Sequence, residues 1–263
     1  MLAFIYDDSL EGVLSAVFDA YMMKEFPKIV VTGKEILPLT ISRTHTVVTG
    51  REKADRVFAG LCKRMSREGR NVILLAYLSE AEGIGTLLFR YMRKLFDLPP
   101  GSEGDFTDPD MLAVDQIAKK VYAEHHLLLG FSRFQKTTEG VYTALLSPKY
   151  NVLSLLVPHF LKRFAIHPWI LYDTKRGFGF FHDRGDIRDI YIDPAFLKGG
   201  SLSDELLAPG EKKLEEMWKD YHVTTAISSR MNPTLQTRCM PRHFWKHMTE
   251  MRVPEPNIPA RRS

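Results

Sequence analysis

The stretch NVLSLLVPHFLKRFAIHPWILYDTKR, residues 151–176, decides how this chain is read. Its first half has the apolar spacing of a helix, with Leu156, Phe160 and Phe164 on one stripe. Pro158 cannot donate a helical hydrogen bond, which places it in the first turn or at a kink. His159 and Arg163 stand four apart and share a helical face. The second half, Trp169 to Asp173, reads as an aromatic-rich strand that ends in a carboxylate, with Lys175 and Arg176 just beyond it. Polar groups converging from two adjacent elements nominate His159, Arg163 and Asp173 as a candidate catalytic cluster facing a cleft, with Arg133 and Arg176 at its edge. The plainer reading of the same residues is a core histidine beside an Arg163–Asp173 ion pair.

Working outward, Leu127 to Gln135 and Val141 to Leu146 are strand-like runs separated by the turn residues Thr137 to Gly140. Gly177 to Phe181 and Ile187 to Ile192 read as two further strands. Two strands, a helix and three strands imply an antiparallel sheet with a helix on one face. Ahead of it, Leu2 to Tyr6 and Ile29 to Val31 read as short strands among helices, and Asp8 with Glu11 resembles a capping box. Asp110 is placed to cap a helix running to about His125. Beyond the sheet, a helix from about Glu211 to Ser228 is expected to bury Leu214, Met217, Trp218 and Tyr221.

The expectation is an α+β fold: a helical N-terminal region packed on an antiparallel sheet of about five strands, with C-terminal helices. Its parts are residues 1–125, mainly helical; 126–250, the sheet with covering helices, in one compact unit with the first; and a flexible tail, 251–263.

A chain of 263 residues can bury a substantial core. Its 44% hydrophobic and 26% charged residues are those of an ordinary globular protein. Two cysteines, Cys62 and Cys239, exclude a disulfide scaffold and any cysteine-only metal site. With no secretory signal pattern and no apolar run of membrane-spanning length, a cytoplasmic protein without a membrane partner is expected. The formal charge of +4 tolerates a polyanionic partner without requiring one.

Basic residues gather in two places. Around Arg51 to Arg70 they are interleaved with Glu52, Asp55 and Glu68, which suits a solvated helix face. Between Arg230 and Arg262 only Glu250 and Glu255 oppose them. Here Arg230 and Arg242 could track phosphates, with Trp245 and Phe244 to stack on bases. In the segment RMNPTLQ, residues 230–236, Asn232 and Gln236 carry amides that can read base edges, although Asn232-Pro233 is also a good helix stop. His243 and His247 have the spacing of a helical metal pair, but no further ligand set accompanies them, and no metal is expected. Gly83-Ile-Gly85 is too short for a dinucleotide fingerprint and no P-loop is present, so no cofactor is expected either.

Several segments together resemble a bacterial family described as probable DNA metabolism proteins. They are Tyr6-Asp7 with EGVLSAVFDAY after it, GFSRF from Gly130, the 151–176 stretch, and WKDYHVTTAISSRMNPTLQTRCMPRHFWKHMTE from Trp218. The chain departs from that pattern at Asp8, where many relatives have glycine, and at His243, where a basic residue is commoner. The family resembled is encoded beside a radical-SAM protein similar to spore photoproduct lyase, or is fused to a domain similar to uracil-DNA glycosylase. The resemblance implies work on damaged or modified nucleic acid.

A radical-SAM cluster needs three closely spaced cysteines, so such chemistry would sit on the partner. The leading expectation is an accessory protein of DNA repair or DNA metabolism that binds nucleic acid and works with a radical-SAM lyase-like or glycosylase-like partner. One alternative is a metal-independent hydrolase or nucleic-acid-processing enzyme using His159 and Asp173. Another is a protein-interaction scaffold.

Overall fold

The computed structural model describes residues 1–198 and 201–252. The expected flexible tail lies outside the described residues, save for Met251 and Arg252. The protein is α+β and divides into two compact units, Met1–Ala123 and Glu124–Ser263.

The first unit is built on a three-stranded parallel sheet. Strand β1 (Leu2–Tyr6) is followed by helix α1 (Leu10–Met23), β2 (Ile29–Thr32), β3 (Arg43–Thr46), α2 (Arg51–Cys62), α3 (Arg67–Tyr77) and α4 (Ile84–Asp97). The strand order is β2-β1-β3, with Phe4 opposite Val30 on one side and His45 on the other. β1 is central and carries the apolar side chains. β3 is polar, and its sequence RTHT has no apolar alternation to betray it. Its His45 is tied to the buried Asp19 of α1 at 3.1 Å, and Lys53 holds the other Asp19 oxygen at 2.8 Å. Ser9, not Asp8, caps α1: its Oγ accepts the Gly12 N–H at 2.9 Å. α4 packs so closely on the sheet that a Cβ on Gly85 would lie 2.9 Å from the Val30 carbonyl oxygen.

Helix α5 (Pro109–Phe131) contains the boundary between the units. It starts on Asp108, whose Oδ1 accepts the N–H groups of Asp110 and Met111, so Asp110 is inside the first turn. At its other end the run Leu127 to Phe131, expected as strand, stays helical. Nothing before Ser132 breaks the helix, and a short apolar run fits either period.

The second unit holds a five-stranded sheet in sequence order: β4 (Phe134–Lys136), β5 (Tyr142–Leu146), β6 (Trp169–Asp173), β7 (Phe178–Asp183) and β8 (Asp186–Ile190). Its pairings are antiparallel except β5–β6, which run parallel from Tyr142↔Trp169 to Leu146↔Asp173. The sheet is therefore mixed. Helix α6 (Leu153–Arg163) lies between β5 and β6 in the chain, and a strand–helix–strand crossover returns the chain parallel. α6 buries Leu153, Leu156, Val157 and Phe160. Pro158 sits in mid-helix rather than in the first turn. Ser154 and Pro158 are both exposed, so the carbonyl that Pro158 leaves unbonded is open to solvent.

Trp169 is fully buried and stacks on His182 with ring centroids 5.0 Å apart. The Gly185 N–H donates to His182 Nε2, so the Nδ1 proton faces the His167 carbonyl and the ring is fixed in one neutral tautomer. Short strands β9 (Leu197–Lys198) and β10 (Ser201–Leu202) follow, and Leu202 and Leu207 cover Leu145 and Tyr172. Helices α7 (Glu211–Thr225) and α8 (Pro233–Cys239) and a 3-10 segment over 242–247 complete the unit. α7 departs from expectation: Leu214, Met217, Trp218 and Tyr221 are exposed. Its apolar spacing marks a surface, not a core seam.

Candidate nucleic-acid interface

Asp173 ends β6 fully buried. Its Oδ1 accepts the backbone N–H groups of Lys175 and Arg176, and its Oδ2 accepts Arg176 Nη1 at 2.8 Å. Arg176 also donates to the carbonyls of Pro148 and Lys149. The carboxylate thus locks the β6–β7 turn and ties it to the loop after β5.

Arg163 has no part in this pair; its guanidinium lies 5.7 Å from the Phe164 ring centroid. The reason is topological. α6 returns antiparallel to both strands, so its C-terminal end belongs with the start of β6, at Trp169, and not with Asp173. His159 is half-buried, edge-on to Phe160, with Nε2 enclosed and without a hydrogen-bond partner among the described residues. The structure therefore joins Asp173 to Arg176 and leaves His159 and Arg163 elsewhere on α6.

What gathers instead is the edge where β5 and β6 end side by side. Parallel strands deliver both carboxyl ends, and the loops after them, to one place. Buried Glu124 organises that edge, accepting the N–H groups of Lys149 and Tyr150 at 2.8 Å each and meeting His243 Nε2 at 3.1 Å. Ser147 Oγ lies 2.7 Å from both Thr174 Oγ1 and His247 Nε2. A cavity of about 430 Å³ opens between Ser147, Lys175, Arg242, His243 and Lys246. Lys175 Nζ bonds the Lys149 carbonyl, and Arg242 lies 5.5 Å from the Trp245 ring centroid. Among the described residues none of Lys175, Arg242 and Lys246 has a carboxylate partner. Three uncompensated cations with a hydroxyl, in a concave site, favour an anion.

His243 and His247 do not act as a metal pair. They lie in a 3-10 segment, where four residues exceed one turn by a third, and they point at different partners. Trp245 is half-buried, its Nε1 bonded to the Met240 carbonyl at 2.9 Å and its face met by Arg242.

The other sequence candidates lie apart from this cavity. Arg133 is committed to buried Glu250, with contacts of 2.5 to 3.2 Å. Burial pushes the Glu250 carboxyl up, but hydrogen bonds from Arg133 outweigh it and hold the group below its ordinary range. Arg230 is exposed after α7. Asn232 caps α8, its Oδ1 accepting the Leu235 N–H at 3.0 Å. Gln236 is exposed, its amide 3.9 Å from Met251 Sδ. Residue-type reasoning missed Ser147 and Glu124, because their contacts with His247 and His243 span 100 and 119 residues of chain.

Among the described residues no helix is long and apolar enough to cross a membrane. No curated protein matches the chain. A family profile covers residues 82–250, well over half of the sequence, and the chain accordingly belongs to DUF4130, a domain of unknown function.

Proposed function

We propose that this protein is an accessory factor of DNA repair or DNA metabolism that grips a nucleic-acid backbone in the cavity at the β5–β6 edge. The observation that carries the reading is the set Lys175, Arg242 and Lys246 around Ser147, with no carboxylate partner among the described residues. Phosphates are the natural ligands of such a set, and the contacts would carry no base sequence of their own. The resemblance to proteins encoded beside a radical-SAM lyase-like protein, or fused to a glycosylase-like domain, supports a partner that performs the chemistry. Cys62 and Cys239, distant in the chain, cannot supply the three-cysteine site such a reaction needs. Fluorescence anisotropy with labelled single- and double-stranded DNA tests the reading. Affinity should fall steeply with salt, and no binding to intact or damaged DNA would reject it.

A second reading, a protein-interaction scaffold, draws on one observation. Met217, Val223, Ile227, Met231 and Leu235 are exposed along α7, α8 and their connection. The hydrolase alternative built on His159 and Asp173 has no comparable support, since Asp173 is engaged in its turn.

A further inference from the structure

Trp218 is the second feature of the C-terminal unit that packing leaves unexplained. It is 42% exposed and Tyr221 is 59% exposed, yet neither ring is loose. The two stack with centroids 5.5 Å apart and planes inclined by 24°. Glu250, only 6% exposed, accepts hydrogen bonds from Arg133. The Arg133 guanidinium lies 5.9 Å from the Trp218 ring centroid. Tyr221 and the anchored Arg133 therefore hold an indole whose surface is partly left to solvent. Beside it is a cavity of about 410 Å³ lined by Arg133, Phe134, Glu211, Leu214, Glu215 and Trp218. Glu215 is itself set in place by Gln135 Nε2 at 2.5 Å, and Gln135 Oε1 accepts the Leu202 N–H.

The chemistry of the lining selects the occupant. An exposed, immobilised indole calls for a flat partner. Glu211 and Glu215 repel a phosphate. A cation is only weakly called for, because Arg133 and Arg252 offset Glu250 and Glu215 and leave Glu211 alone to attract one. A neutral planar ring with hydrogen-bond donors at its edge meets all three conditions. We propose that this cavity holds one unpaired nucleobase, stacked on Trp218, with Glu215 accepting a hydrogen bond from the base's exocyclic amino group. The inference rests on the nucleic-acid reading above, with phosphates at the β5–β6 edge and a base at Trp218. Adenine, cytosine and guanine offer the amino group. Thymine has no amino group, and its N3–H lies between two carbonyls that a carboxylate repels, so it is disfavoured.

The test uses single strands of about 12 nucleotides: oligo(dA), oligo(dC), oligo(dT) and an abasic strand of equal length and charge. The full chain should bind oligo(dA) and oligo(dC) more tightly than oligo(dT) or the abasic strand. Trp218→Ala should lose about 10-fold on oligo(dA) and oligo(dC), within what base–aromatic stacking supplies, and leave the abasic strand unaffected. Glu215→Gln keeps the shape, guards against a folding defect in Trp218→Ala, and should erase the preference over oligo(dT). Equal affinity of the full chain for abasic and base-bearing strands, or unchanged binding by both variants, overturns the base site while the backbone reading stands. Failure to bind any strand overturns both.

Discussion

Asp173 and Arg176 close the β6–β7 turn as a buried ion pair, Oδ2 to Nη1 at 2.8 Å, with the carboxylate also accepting two backbone N–H groups. Both side chains are occupied by structure. Asp173→Ala would strand a guanidinium that is only 12% exposed, and removing one member of such a pair typically costs about 3–5 kcal/mol. Urea unfolding should show a loss of that order. A loss under about 1 kcal/mol would mean that Arg176 is held well enough without Asp173.

The cations of the β5–β6 edge should behave additively toward DNA. Arg242→Ala and Lys246→Ala are each expected to weaken binding across all sequences and to reduce the slope of log affinity against log salt by about 1. Salt titration of each variant measures this. An unchanged slope would remove that residue from the phosphate path.

Glu250 makes stability depend on acidity. Its carboxyl is held below its ordinary value of about 4.5 in the folded chain, so the unfolded chain binds more protons in that window. Stability from this group is present above about 4.5 and is lost as pH falls through the lower folded value. Thermal melts of Glu250→Gln should show a shallower decline than wild type over that acid range, from a lower plateau at neutral pH.

Among the described residues the enclosed Nε2 of His159 has no hydrogen-bond partner. An unsatisfied buried polar atom is destabilising, so His159→Phe, similar in shape, should leave the melting temperature unchanged or raise it. If DNA affinity is also unchanged, His159 has no part in the interface. A marked fall in affinity at full stability would return it to the site.

The 3.6-residue and alternating patterns in the sequence were sufficient for the α+β class, for α1 and α6, and for the strands at Tyr142 and Trp169. They failed where pattern and burial separate. The edge strand β3 is polar throughout, and α7 has a well-formed apolar face that stays exposed. The candidate cluster His159, Arg163 and Asp173 is a different case, its members having other partners. Spacing places His159 and Arg163 on one face, but only the parallel β5–β6 pairing reveals which strand end that face meets. Reading Lys175, Arg242 and Lys246 as basic residues was within reach of composition. Their grouping around Ser147 was not.

The β5–β6 edge is closed by the far end of the chain. His243 reaches Glu124 across 119 residues, Glu250 reaches Arg133 across 117, and His247 reaches Ser147 across 100. These are late contacts in synthesis. Until residues 242–252 have left the ribosome, Glu124 and Arg133 have no partners from this segment, and the wall that supplies Arg242 and Lys246 does not exist. On the proposed reading, a chain lacking that segment would lose two of the three cations of the cavity and with them its hold on an anion, so ligand binding would report that residues 242–252 are in place.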